Sequence, residues 1–464
     1  MQRSLLLTEV LAALSYALDL TEGQPEGHSI RSCILGIEIG RAIGLDFADQ
    51  SALFYALLLK DAGCSANAAP VSELFGSDDH PVKRDLKTTD WSSFVAAGRY
   101  AVRNAAVGGS AWVKVKHIVR IALAGPPEAK QLTRIRCERG AAIVRDLGFP
   151  QATADAIRHL DEHWDGKGHP DGVRGAEIPL LARICCLAQT LDVFLADRGV
   201  TEMFAMVRDR RGTWFDPGLA DQVLFWEGRG DWWESVRRAG RPEDLGGLEP
   251  RDRVLQIDED GLDRVSAVFA EVIDAKTPFT ARHSTRVARV ARELSLELGL
   301  SASEARRIHR AGLLHDIGKL GVSNRILDKP GKLTEEEFAQ VKLHPHHTHQ
   351  ILARVDAFGD VLEAAANHHE RLDGTGYPRG LDGSRLDLPC RIMAVADVFE
   401  ALTADRPYRA PMQFEQVTKI LRGMSGSALD GDVVETLIRC AAEREGAPWR
   451  WGAVDAPHSL VGVR

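Results

Sequence analysis

In the C-terminal half of this 464-residue chain, His283, His315, Asp316, His344, His368, His369 and Asp397 stand out as side chains that could hold metal ions. Five imidazoles and two carboxylates, with no thiol, suit Fe, Mn, Zn, Ni or Co. A site for Mg²⁺ alone would be richer in oxygen donors. Two such cations about 3.5–4 Å apart acidify a bridging water and clamp both oxygens of an in-line displacement at phosphorus. A single histidine is more often an ordinary core or surface residue, and His309, His346, His347 and His349 are read that way. The adjacent pairs His315-Asp316 and His368-His369 are awkward in mid-helix, where neighbours point about 100° apart. They make sense at a helix end or where a helix packs closely around a pair of ions.

The elements that must position these residues read as helices. Residues 283–300 carry Val287, Val290, Ala291, Leu294 and Leu298 at helical spacing. Ser301 with Glu304, and Thr334 with Glu337, predict capping boxes. No long stretch alternates with period two, so the fold class is all-α with strands a minor element at most. The opening MQRSLLLTEVLAALSYALDL is interrupted by Glu9 and Asp19 and predicts an amphipathic helix, not a secretory signal.

The chain repeats itself. Residues 158–194 recur as 366–402 at an offset of 208, with Asp165-Gly166 over Asp373-Gly374, Gly168 over Gly376, Pro170 over Pro378 and Arg183-Ile184 over Arg391-Ile392. The same offset sets Arg136 against His344. Upstream the offset is 255, matching His28 to His283 and Lys60-Asp61 to His315-Asp316, so the first copy carries a 47-residue insertion between Asp61 and Arg136. Its ligand positions read His28, Lys60, Asp61, Arg136, Leu160, Asp161 and Gln189. Two cationic side chains and a leucine cannot hold a dinuclear cation, which Lys60 would repel. This copy is expected to be inert, serving to sense a small ligand, to mediate homodimerisation or contact a signalling partner, or to support the other half. Lys60 and Arg136 could line an anion pocket, while His28, Asp61 and Lys60 could form an internal hydrogen-bonded cluster. His159, His163 and His169 fall on no ligand position.

The segments HSTRV, HDIGK, LHP, NHHERLDGTGYP and ADVFEALTADRPYR, in this order within about residues 262–444, resemble the HD-GYP family of metal-dependent phosphohydrolases in the HD superfamily. The resemblance implies two tandem HD-type helical bundles, the second hydrolysing cyclic di-GMP to linear pGpG or GMP through a hydroxide activated by two metals. It implies that His283, His315, Asp316 and Asp397 hold one ion. Asp316 would bridge to a second, held also by His344, His368 and His369. Asp316 and Lys319 would carry catalysis, Lys319 as a point charge on the scissile phosphate; a salt bridge to a nearby carboxylate is its competing role. Asp373, Gly374, Thr375, Gly376, Tyr377 and Pro378 would shape the nucleotide pocket, and Arg406 and Arg409 would bind phosphate. Phe279 stands where some members carry a glutamate associated with a third metal, so two ions are expected, Fe or Mn foremost. Another cyclic dinucleotide, a nucleotide or a phosphomonoester is the alternative substrate. A non-catalytic adaptor is a further alternative, which the complete ligand set disfavours.

Bulk properties frame this reading. A net charge of −8 argues against a general nucleic-acid binder. Seven scattered cysteines without a C-x-x-C pair suit buried thiols in a reducing compartment. No run approaches the roughly 18 apolar residues of a membrane span, and a cytoplasmic location is expected. The domain reading is a degenerate domain at 1–226 with its insertion at about 62–135, a Gly-, Pro- and charge-rich linker at 227–256, a catalytic domain at 257–450 and a tail at 451–464. The linker's tryptophans are candidates to dock on a domain.

Overall fold

The computed structural model describes residues 6–89, 94–248, 257–278, 282–404 and 411–443. Phe279, Arg406, Arg409 and the tail 451–464 lie outside the described residues. The first half runs α1 (Leu7–Thr21), α2 (His28–Ala42), α3 (Phe47–Leu59), α4 (Ala68–Phe75), α5 (Asp79–Thr88), α6 (Phe94–Asn104), α7 (Ala111–Asp146), α8 (Gln151–Arg158), α9 (Leu180–Arg198), α10 (Val200–Arg210), α11 (Pro217–Leu224) and α12 (Gly230–Arg238). The second runs α13 (Glu259–Asp274), α14 (His283–Glu297), α15 (Ala302–Leu314), α16 (Asn324–Leu327), α17 (Glu335–Val341), α18 (His344–Leu352), α19 (Gly359–Ala366), α20 (Leu388–Thr403), α21 (Phe414–Met424) and α22 (Gly431–Glu443). Among the described residues there are only isolated β-bridges, so the protein is all-α. Both expected capping boxes form. Glu304 N–H donates to Ser301 Oγ at 3.3 Å, and Glu337 N–H to Thr334 Oγ1 at 3.2 Å. α1 is more deeply buried than a surface amphipathic helix. Val10, Leu11, Leu14, Ala17 and Leu18 are buried together with Thr8, Ser15 and Asp19, and only Leu7, Glu9, Tyr16 and Leu20 keep part of their surface in water.

The chain divides into two compact units: Met1–Val268 with Ala275–Pro278 and Leu320–Val341, and Phe269–Asp274 with Phe279–Lys319 and Lys342–Arg464. In the first, α2 packs on α3 and α9, and α8 packs on α3, α7 and α9. In the second, α14 packs on α15 and α20, and α19 packs on α15, α18 and α20. These are the same contacts between repeat-related helices. The repeat also continues further than the sequence revealed. The Arg211↔Phe215 bridge recurs as Ser425↔Leu429. Asp165 N–H donates to Thr213 O at 2.8 Å and Asp373 N–H to Ser427 O at 2.8 Å. Asp216 accepts from Arg183 at 2.7 Å, as Asp430 does from Arg391 at 2.9 Å. The offset here is 214 instead of 208, so the second copy has six more residues between α20 and α21.

The insertion supplies α4, α5, α6 and the first part of α7. Its Asp79 is buried and accepts Asn324 N–H at 2.8 Å, with Lys276 Nζ at 3.4 Å. These bonds explain why 275–278 and 320–341 belong to the first unit. Residues 227–248, read as the start of a linker, also fold into that unit. Trp226 and Trp233 are buried there, and Trp233 Nε1–H donates to Trp226 O at 3.0 Å. Two indoles of that size hold a segment down despite its polar composition.

Candidate metal centre

Helix ends deliver most of the candidate ligands. His283 opens α14 after Arg282, whose φ of 61° turns the chain into the helix. His315 caps the C-terminus of α15 and Asp316 follows it. His344 opens α18, and His368-His369 follow the end of α19. Asp397 alone comes from mid-helix, in α20. Gly318 permits the closest approach. A Cβ there would lie 1.9 Å from His344 O, and at the equivalent Gly63 one would lie 1.9 Å from Arg136 O. Thr348 Oγ1 ties the same elements together, donating to His315 O at 2.8 Å and accepting Gly318 N–H at 3.1 Å.

The seven side chains converge into two groups that meet at Asp316. Asp316 Oδ2 lies 3.4 Å from His283 Nε2 and 3.4 Å from His315 Nε2, and Asp397 Oδ1 is 3.4 Å from His283 Nε2. Asp316 Oδ1 lies 3.4 Å from His344 Nε2 and 3.8 Å from His368 Nε2. His344 Nε2 and His368 Nε2 are 3.3 Å apart, and His369 Nδ1 is 3.8 Å from Asp397 Oδ2. Donors held about 2.0–2.2 Å from one cation sit roughly 3.0–3.6 Å from each other. Most of these separations are those of donors able to share a cation, the 3.8 Å pairs His368–Asp316 and His369–Asp397 being somewhat wider.

The donor chemistry fits divalent cations. His315 Nε2 and Asp316 Oδ1 are buried without a hydrogen-bond partner, which neutral protein chemistry would not leave at a packed centre. His315 Nδ1 bonds Gly312 O at 2.8 Å and His368 Nδ1 bonds Ala365 O at 2.7 Å, turning each Nε2 inward. Burial raises Asp316, but His315 and Lys319 hold it well below the usual carboxylate range. Burial likewise opposes ionisation of Asp397, and the bond from His283 and the nearby His369 overcome it. Burial and the neighbouring imidazoles His369, His315 and His344 hold His368 well below an ordinary histidine. Ionised carboxylates and neutral imidazoles are the forms a metal takes up. His283 differs: burial lowers it, yet Asp316, Asp397 and Glu400 push it well up. It must shed a proton to become a donor.

Glu400, one turn beyond Asp397, was not singled out from the sequence. Its Oε2 lies 2.5 Å from His283 Nδ1 and its Oε1 accepts from Arg286 Nε at 2.5 Å, so it fixes the imidazole that opens the site. Asp274 was missed too; it accepts Ser284 Oγ–H at 2.7 Å at the start of α14. The repeat held the signal. Asp192 binds His28 Nδ1 at 2.6 Å and Arg31 Nε at 2.5 Å, and Asp19 accepts Ser29 Oγ–H at 2.7 Å.

Lys319 does not stand free to meet a phosphate. Its Nζ lies 2.6 Å from Asp316 Oδ2, which is the competing salt bridge. Tyr377 reaches the ligand cluster, its ring 4.8 Å from that of His369, with Lys342 Nζ 5.5 Å above it. Asp373 instead builds its own loop, accepting Thr375 N–H at 2.9 Å, while Gly374 supplies a φ of 72°. Gly376 is packed so closely that a Cβ would lie 2.5 Å from Arg371 N. Pro378 follows a cis peptide bond.

In the first copy, protein cations stand in place of this arrangement. Lys60 bonds Asp61, and Lys87 Nζ, delivered by α5, lies 3.2 Å from Asp61 Oδ1 and 3.1 Å from Glu22 Oε2. Arg136 bonds Asp161 and lies 3.6 Å from Glu22. Burial and Lys60 lower His28 to about 4, so it is neutral. The internal cluster expected of His28, Lys60 and Asp61 is present. The anion pocket is not: Lys60 and Arg136 are already neutralised by buried carboxylates. His163 stacks on Trp214 at 4.0 Å, and His159 Nδ1 bonds Asp155 O at 3.0 Å.

Comparison with known proteins matches this organisation. The family described as HD domain matches residues 126–219 and 267–433. The chain is 40% identical to the 3′3′-cGAMP-specific phosphodiesterase 3 of Vibrio cholerae serotype O1, over 94% of this chain and 95% of that protein. It is 37% identical to a cyclic di-GMP phosphodiesterase of Thermotoga maritima, over 40% of this chain and 51% of that one. A crystal structure of the cyclic GMP-AMP-specific phosphodiesterase V-cGAP3 of V. cholerae aligns with a TM-score of 0.64 at 34% identity, covering 94% of this chain and 98% of that chain.

Proposed function

This chain belongs to the HD domain family in its HD-GYP form, and from that premise we propose that its second copy hydrolyses 3′3′-cGAMP with two divalent metal ions. The coarser statement, that it is a cyclic dinucleotide phosphodiesterase, follows from the named activities of its relatives. The observation that carries the site is Asp316, whose two oxygens face two separate groups of imidazoles. Similarity to a 3′3′-cGAMP-specific enzyme across both halves favours that substrate. Cyclic di-GMP is the second reading, supported by relatives that match about two-fifths of the chain.

His283, His315, Asp316 and Asp397 would hold one ion and His344, His368, His369 and Asp316 the other, with Fe or Mn the proposed identity. Ions bound there would supply a water acidified toward neutral pH and Lewis-acid polarisation of the phosphoryl oxygens. The protein does the rest. Glu400 and Arg286 hold His283 in register, and Gly318 with Thr348 keeps His344 against His315. Lys319 sits one bond from Asp316 and would turn to the phosphate as substrate enters. Tyr377, its hydroxyl kept protonated by burial and the nearby Asp397, offers an aromatic wall and a hydrogen-bond donor. Among the described residues no helix is long and apolar enough to cross a membrane. All seven cysteines are free and buried, which supports a reducing, cytoplasmic setting.

The test compares kcat/KM for 3′3′-cGAMP and cyclic di-GMP on Mn- or Fe-loaded protein. At least tenfold preference for 3′3′-cGAMP is expected. The reverse preference moves the assignment to cyclic di-GMP, and no turnover of either by protein carrying its metals overturns the proposal.

A further inference from the structure

Eight of the fifteen large hydrophobic side chains exposed among the described residues lie between Val95 and Leu123, all in the insertion. Trp112, Val115, Val119 and Leu123 follow a spacing of three, four and four, one stripe of a helix. Trp112 is 77% and Leu123 83% exposed. Gly125, with φ 59° and ψ −161°, breaks α7 there and sets residues 111–124 apart as a surface helix in its own right. The second copy forms its helical core with no counterpart of this segment, so core formation does not explain the stripe.

The charge of the same segment is one-sided. Residues 94–127 contain Arg99, Arg103, Lys114, Lys116 and Arg120 and no Asp or Glu, in a chain of net charge −8. Arg103 is paired with Asp85 and Arg120 with Glu73, both from outside the segment. Arg99, Lys114 and Lys116 have no carboxylate partner among the described residues. Lys116 and Arg120, both exposed, flank this stripe, while Lys114 lies half-buried on the inner face. A helix with tryptophan, leucine and valine on one stripe and cations beside it is what lies flat in the interface of an anionic bilayer. A symmetric contact with a second copy would set this cationic segment against itself, so charge complementarity favours an anionic occupant.

We propose that residues 111–124 are a peripheral docking surface for anionic phospholipid, placing the enzyme on a membrane face without a spanning segment. The full-length protein is to be sedimented with phosphatidylcholine vesicles, with and without phosphatidylserine. Binding is expected only with phosphatidylserine, weakening as salt screens it. It should fall at least tenfold in Trp112→Ser/Leu123→Ser and in Lys116→Glu/Arg120→Glu, each retaining wild-type melting temperature and turnover. Absent binding, equal binding to both vesicles, or binding that neither double variant weakens overturns the proposal. So does light scattering that shows a dimer dissociated by Trp112→Ser/Leu123→Ser, which would assign the stripe to a second copy.

Discussion

Replacing Glu400 with glutamine keeps the side chain's shape and removes its charge. The carboxylate lies 2.5 Å from His283 Nδ1 and 2.5 Å from Arg286 Nε. A glutamine oxygen can keep one of these bonds but no longer raises the basicity of the imidazole. Loss of such an orienting carboxylate weakens metal binding about 10- to 100-fold, or roughly 1.4–2.7 kcal/mol. The repeat supplies the control. Asp192→Asn removes the same charge from the same geometry around His28 and Arg31, where no metal is expected. It should cost roughly 2–3 kcal/mol of stability by leaving Arg31 buried without its anion, with metal affinity unchanged. Chelator competition read by metal analysis gives the affinity, and urea titration the stability. Unchanged metal affinity in Glu400→Gln, or an equal loss in Asp192→Asn, would refute the assignment of Glu400 as the group that positions His283.

Two further outcomes follow from the packing. Gly318→Ala drives a methyl against His344 O and should displace His344, removing metal from its group and most turnover. Gly63→Ala, with the same 1.9 Å overlap on Arg136 O, should destabilise by on the order of 3 kcal/mol while metal content stays at two. In the first copy, burial raises Glu22, but Lys87 and Lys83 hold it at about 2 against an ordinary 4.5. Its folded value lies below its unfolded one, so its contribution is present above about pH 4.5 and is lost as pH falls toward 2. Lys87→Met should lower stability at neutral pH by about 3 kcal/mol and flatten the decline across that window, as urea midpoints against pH would show.

Much of the candidate site was legible because residue type alone limits what a ligand can be: histidines and aspartates at fixed intervals have few other reasons to gather. The residues around them were less visible. Glu400 and Asp274 are common carboxylates whose role appears only when α14 and α20 are side by side, or when Asp192 and Asp19 are seen in the same places. Lys87 was hidden for the opposite reason, since the insertion that carries it has no counterpart to align. The pairing of α10 and α11 with α21 and α22 escaped notice because six extra residues shift the offset and little beyond Asp216 and Asp430 survives in common. Lys319 was legible as a cation but not as a partner of Asp316, since both roles suit the same motif.

The central claim, that Asp316 joins two metal ions into one hydrolytic centre, is tested most directly by counting metals. Protein purified anaerobically with Fe(II) or Mn(II) should carry about two ions per chain and cleave a cyclic dinucleotide. Asp316→Asn should lose both ions and turnover together while keeping its helical content. A variant that retains two ions and full turnover, or a wild-type protein that turns over with no metal, would contradict it.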